Sequence, residues 1–172
     1  MGPLSSLKIL DFSTLLPGPF ATMLLADMGA DVVRIEAPDR FDLVRSRPPF
    51  DDGVAAGHAF LNRSKRSVAL DLKARGATEI VKRLIETYDV VLEQFRDRAG
   101  HDNNYLALAG VMSHSGTREG GPAPQGVQVA DIGAGSMNTV AGILAAVVHR
   151  SETGEGQYVD VSMFDGAVLW NG

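Results

Sequence analysis

The sequence predicts an α/β fold carrying a parallel sheet. Two observations point there. Short apolar runs of strand length alternate with stretches of helical spacing through the first 95 residues. The first such pair is joined by a Pro/Gly-rich turn, as in a β-α-β unit.

The elements follow in order. LKILDF (7–12) is a short apolar run closed by polar and Pro/Gly residues, and reads as a buried strand. PGPFATMLLADMGA follows, with Pro19 in a first helical turn and Phe20, Met23, Leu24 and Met28 at helical spacing, until Gly29 stops the helix. DVVRIEAP (31–38) is the next strand, ended by Pro38. Residues 39–60 are polar and rich in proline and glycine, and read as a loop. SVALDL (67–72) is a third strand, and KARGATEIVKRLIETY a helix with Ile80, Val81, Leu84 and Ile85 on one face. DVVLEQF (89–95) is a fourth strand.

Beyond residue 100 the texture changes. NYLALAGVMSHSG fits a helix or a strand, and TREGGPAPQG a loop. GSMNTVAGILAAVVHR (135–150) predicts a helix facing its core with Met137, Val140, Ala141, Leu144 and Val148. TGEGQ then turns into YVDVSMF, a strand candidate, before the apolar DGAVLWNG.

Composition narrows the function classes. The chain has 172 residues, 45% hydrophobic and 22% charged, which suits a globular domain with a real core. A net charge of −5 argues against non-specific nucleic-acid binding. There is no cysteine, which excludes disulfides, thiolate metal sites and a cysteine nucleophile. No run of eighteen apolar residues predicts a membrane span, and the first residues lack the pattern of a signal peptide. The four histidines show no i, i+4 pair of the zinc-binding kind, so no metal is expected.

Four stretches have chemical potential. LLPGPFAT (15–22) is a strand-to-helix turn that reads as a plain connection or as a place where a phosphate meets backbone N–H groups. LNRSKRSVALD brings Arg63, Lys65 and Arg66 together, as a solvated charge run or a phosphate-holding loop. VADIGAGSMN places Asp131 before a Gly-rich helix start, as a cap or as a reactive carboxylate. GHDNNYLALAG holds His101 and Asp102, and a lone histidine there reads as exposed or as a proton carrier.

Taken together, LKILDFSTLLPGPFATMLLADMGADVVRIEAP, LNRSKRSVALDLK and TGEGQYVDVSMFDGAV resemble the N-terminal half of the class III CoA-transferase family. AGHDNNYLALAGV followed by VADIGAGSM is most similar to its α-methylacyl-CoA racemase branch. The resemblance implies a Rossmann-like parallel sheet with flanking helices, part of a fold in which two chains interlock as a homodimer. It implies an acyl-CoA substrate, with no cofactor beyond that CoA and no metal. Residues 1–172 would then be part of the large CoA-binding domain, without the small domain. His101 and Asp131 would be the opposed acid and base of the racemase branch, supported by Asp102, whereas in transferase members the aspartate at the place of Asp131 attacks the thioester. Transferases generally lack this histidine, which favours racemisation of a 2-methyl-branched acyl-CoA. An inactive CoA-binding fragment is a further alternative.

CoA contacts carry over to Leu16, Pro17, Asn62, Arg63, Ser64, Lys65, Gln94 and Phe95, while Ala37 stands where relatives often have arginine. Between EQF and AGHD the family pattern has a helix, a strand and a Gly-rich turn, so an internal gap is expected near Arg96–Arg98. A glutamate expected at the racemase site would lie beyond Gly172. A bacterial source would imply a cytoplasmic location.

Overall fold

The structure is a computed structural model that describes residues 2–94 and 100–172. Phe95 and the expected junction at Arg96–Arg98 lie outside the described residues. The chain forms two compact units, Met1–Gln94 and Phe95–Gly172.

The first unit is built on four parallel strands: β1 (Lys8–Asp11), β2 (Asp31–Glu36), β5 (Arg66–Ala69) and β6 (Val90–Leu92), in the order β5-β2-β1-β6. The four strands expected from the sequence are all present, each somewhat shorter. Leu10 pairs with Val33 on one side and Val91 on the other. Successive side chains of a strand point to opposite faces. Leu10, Val33 and Ile35 share one face, where Leu84 of α3 (Ala77–Ile85) and Tyr88 pack on them. Ile9, Asp11, Val32 and Arg34 therefore point to the other face, toward α1 (Pro17–Asp27). Each fully buried aliphatic side chain of this core, such as Ile9, Leu10 or Leu25, contributes on the order of 1.5–3 kcal/mol by leaving water. Gly29 ends α1 at φ +102°, a conformation that costs glycine nothing.

The expected loop at 39–60 is more ordered than its composition indicates. It contains a 3-10 turn (Leu43–Ser46), a short hairpin of β3 (Phe50–Asp51) and β4 (Val54–Ala55), and helix α2 (Ala56–Leu61). Asp42 caps the 3-10 turn by accepting the Val44 N–H at 3.0 Å. The polar composition marks surface segments here, not the absence of structure.

The second unit is helical. It comprises α4 (Asp102–Leu108), a 3-10 turn (Val111–His114), a π-helical segment (Val129–Met137) continuing into α5 (Asn138–Thr153), and α6 (Met163–Asn171). NYLALAG thus resolves as helix. Leu106, Ala109, Val111, Ala130, Ala134, Met163 and Ala167 form its core. A Cβ on Gly166 would lie 2.7 Å from the Ala134 Cβ, so only glycine lets α6 pack this closely on the π-helical segment.

Two expectations fail here for physical reasons. YVDVSMF is not a strand. Residues 157–162 find no ladder partner among the described residues, and Val159 rests against Gly142 of α5. Ser162 then caps α6 by accepting the Asp165 N–H at 3.1 Å. The buried face of α5 is Val140 and its i+3 neighbour Ile143, whereas Met137, at the end of the π-helical segment, and Val148 are exposed. Val129–Thr153 is one continuous helical run long and apolar enough to cross a membrane by length and composition, a test that core helices also pass.

Candidate active site

Asp131 lies in the first turn of the π-helical segment and is 7% exposed. Three groups fix it. Its main-chain N–H donates to Asp102 Oδ1 at 2.9 Å. Gln128 Nε2 donates to its Oδ2 at 3.2 Å, and Ser136 Oγ donates to its carbonyl at 3.0 Å. Burial pushes the Asp131 carboxyl up to about 6, the Asp102 charge adds to this, and His101 opposes it. A carboxyl titrating there populates both protonation states near neutral pH, as proton transfer requires.

His101 is exposed and stands immediately before α4, where its N–H donates to Asn104 Oδ1 at 3.2 Å. Asp102, the first residue of α4, is buried and turns to Asp131. The sequence left open whether Asp102 orients His101 or supports the site, and its hydrogen bond goes to the Asp131 backbone. Sequence reasoning missed Gln128, although its place three residues before Asp131 is the spacing that brings helical neighbours together.

The other described candidates, Leu16, Pro17, Asn62, Arg63, Ser64, Lys65 and Gln94, belong to the first unit. Leu16 stands at the N-terminus of α1 and Pro17 is its buried first residue. Asp42 holds the preceding turn by accepting the Leu15 N–H at 3.0 Å, with Leu15 at φ +64°. Gln94 Oε1 accepts the Thr14 N–H at 3.3 Å, while its buried Nε2 finds no hydrogen-bond partner among the described residues. The glycine of this turn has a structural use. A Cβ on Gly18 would lie 2.2 Å from Ser13 Cβ and Oγ, so the close approach is to the chain's own serine.

The basic stretch is tied internally. Arg63 pairs with Asp27 and lies 4.5 Å over the Phe60 ring. Arg66 pairs with Asp31. Lys65 reaches inward to Asp11 at 3.5 Å and donates to the Pro19 carbonyl at 2.8 Å, with its side chain 1% exposed. Burial pushes the Lys65 ammonium down to about 8, against the attraction of Asp11. Asp11 also accepts from Ser13 and Thr22, so it knots β1, α1 and the 62–65 turn together. Asn62 ends α2, donating to the His58 carbonyl at 3.1 Å, and Ser64 is exposed at φ +61°. No group of three or more metal-ligating side chains occurs among the described residues.

The profile of CoA-transferase family III matches residues 4–99 and 95–172. The chain belongs to CoA-transferase family III. Succinyl-CoA:mesaconate CoA-transferase of Haloarcula hispanica is 40% identical over 213 residues, covering 98% of this chain and 53% of that protein. Alpha-methylacyl-CoA racemase of Homo sapiens is 32% identical over 200 residues, covering 95% of this chain and 48% of that one. A CAIB/BAIF family protein from Brucella suis superposes with a TM-score of 0.88 at 28% identity, over 98% of this chain and 55% of that one. Protein Rv3272 of Mycobacterium tuberculosis superposes at 0.89 with 30% identity, covering 99% and 57%.

This family III chain spans about half the length of the curated relatives it matches. The alignment with the Haloarcula protein is 213 residues long against 172 here, so roughly forty aligned positions have no residue in this chain. The two stretches matching the family meet at 95–99, where the sequence led us to expect a gap.

Proposed function

We propose that this chain is the acyl-CoA-handling half of an α-methylacyl-CoA racemase, with Asp131 and His101 exchanging the α-proton of a 2-methyl-branched thioester. The observation that carries this reading is a buried carboxyl poised at about 6 with an imidazole charge acting on it. The hydrogen α to a thioester is weakly acidic, so its removal needs a base with a matched pKa, and its return on the other face needs an acid there. Asp131 and His101 supply two such groups, and Asp102 positions the first. No cofactor is invoked, since CoA arrives as part of the substrate.

In this reading Leu16, Pro17, Asn62–Lys65, Gln94 and Phe95 line the path of CoA. Gln94 Nε2, buried beside the 14–18 turn with no hydrogen-bond partner among the described residues, supports a polar ligand atom there. The lysine of the basic stretch acts by shaping that turn through Asp11, not as a free phosphate ligand. A second copy of the chain, interlocked with the first, is part of the same proposal.

The test is exchange. The protein incubated with a 2-methylacyl-CoA in deuterated water exchanges the α-hydrogen, and His101→Ala or Asp131→Asn abolishes it. A second reading has its own support: the 40% identity to a CoA-transferase. In it Asp131 attacks the thioester, forming an acyl-aspartyl anhydride as CoA thiolate departs with the electron pair. Hydroxylamine trapping of Asp131 without α-exchange selects that reading. Failure of both, with no CoA thioester bound, leaves a fragment without this activity.

A further inference from the structure

Asp42 stands in the 39–60 segment, which the sequence marked only as a loop, yet three parts of the first unit meet on its carboxylate. Its Oδ2 accepts the Leu15 N–H at 3.0 Å and a hydrogen bond from Arg34 Nη2. Its Oδ1 accepts the Val44 N–H at 3.0 Å. The side chain is 1% exposed. Asp42 therefore joins β2, the 3-10 turn and the turn before α1 at one point.

The carboxylate is itself fixed from the sheet. Arg34 lies on β2, and its Nη1 pairs with Glu36 Oε1 at 3.3 Å. Glu36 Oε2 in turn accepts from Arg45 at 2.7 Å and from Ser67 of β5 at 2.8 Å. A cavity of about 170 Å³ borders Arg34, so packing leaves its guanidinium room on one side and the ion pairs to Asp42 and Glu36 fix its position.

The turn that Asp42 holds is unusual. Leu15 has φ +64°, a left-handed conformation that crowds the Cβ of any residue but glycine. It sets the entry to α1, whose first three residues are Pro17, Gly18 and Pro19. The two prolines carry no N–H. The Thr14 N–H is taken by Gln94 Oε1 at 3.3 Å, and the Leu15 N–H by Asp42. The main-chain donors of residues 14–19 not engaged in this way are those of Leu16 and Gly18, and the backbone angles of Leu15 set where both point. We propose that Asp42 is a positioning residue for CoA binding: it holds Leu15 in the left-handed region and thereby aims the Leu16 and Gly18 N–H groups. This rests on the reading in which the turn at Leu16 and Pro17 meets CoA.

The test combines amide hydrogen exchange at residue 15, read by NMR, with calorimetric titration of the full chain by CoA. In Asp42→Asn the Leu15 amide is expected to exchange at least about tenfold faster, and CoA to bind about tenfold more weakly, the factor expected of one charge-assisted hydrogen bond. Glycine adopts a positive φ freely, so Leu15→Gly in the Asp42→Asn chain is expected to recover at least about threefold of that loss. A purely structural role for Asp42 predicts no such rescue at position 15. Leu15→Val alone is expected to weaken CoA binding, because a β-branched residue resists this conformation. Should circular dichroism show Asp42→Asn unfolded, the double variant Arg34→Met, Asp42→Asn takes its place, since it leaves neither buried charge alone. Unaltered Leu15 exchange, unaltered CoA affinity or no rescue by Leu15→Gly overturns the proposal. A wild-type chain that binds no CoA overturns the CoA reading and the proposal with it, whereas wild-type binding that Asp42→Asn leaves intact overturns the proposal alone.

Discussion

The carboxylate of Asp102 accepts the main-chain N–H of Asp131 at 2.9 Å, joining two positions 29 residues apart in sequence. One buried acid thereby anchors the backbone of another and adds its charge to the field that resists ionisation there. These two effects are separable. Asp102→Asn keeps an acceptor oxygen but removes the charge. The Asp131 midpoint is expected to fall below about 6, read by carboxyl ¹³C titration. Asp102→Ala also orphans the Asp131 N–H and is expected to cost about 1–3 kcal/mol in urea unfolding.

Asp131 also ties stability to pH. Its folded pKa is raised from 3.8 to about 6, so the native state holds the proton more tightly than the unfolded chain. The stabilisation this gives is complete below about 4 and is lost as pH rises through 6. Asp131→Asn cannot ionise. Its melting temperature is expected to exceed that of the wild type at pH 7.5, and the gap is expected to close by pH 4. An equal gap at both pH values contradicts the raised pKa.

Gln128 donates to the carboxylate of Asp131 at 3.2 Å, which favours the charged form. Gln128→Leu removes that donor from an exposed position. The low-pH limb of the α-exchange rate is expected to move upward from about 6. The same shift is expected in the carboxyl titration without substrate.

The Lys65–Asp11 pair is almost fully enclosed, at 1% and 0% side-chain exposure. Removing one partner leaves the other charged and buried, a change that costs roughly 3–5 kcal/mol. Lys65→Met is expected to lose about that much in urea denaturation. The double variant Asp11→Asn, Lys65→Met is expected to recover part of the loss, because no charge is then left alone.

Gly18→Ala tests the turn before α1. The added methyl meets Ser13 Cβ at 2.2 Å, a distance real atoms do not adopt. Overpacking of this kind typically costs about 1–3 kcal/mol. Thermal denaturation is expected to show that loss, and Ser13→Gly in the same chain to relieve part of it.

Much was readable from the sequence alone. Apolar runs at 7–12, 31–38, 67–72 and 89–95 marked the four strands of the parallel sheet, of which β1 and β2 are buried while β5 is exposed. The order of the motifs indicated the family, and AGHD and VADIGAG marked the two stretches that carry His101, Asp102 and Asp131. The strand at YVDVSMF was misread because its alternating valines serve packing against α5 as well as they serve a sheet, and local pattern does not name the neighbour.

What tertiary structure decided is the partner of each polar group. Three cations within four residues read as a solvated charge run or a phosphate-holding loop, and only the fold shows that Arg63, Lys65 and Arg66 each turn to an aspartate more than thirty residues away. Arg34 lies mid-strand in an apolar run, and only the fold surrounds it with Asp42, Glu36, Arg45 and a cavity. The raised pKa of Asp131 has the same origin. Residue type sets the ordinary ionisation range, but burial and the charge of Asp102 shift it, and both exist only once α4 and the π-helical segment have packed together.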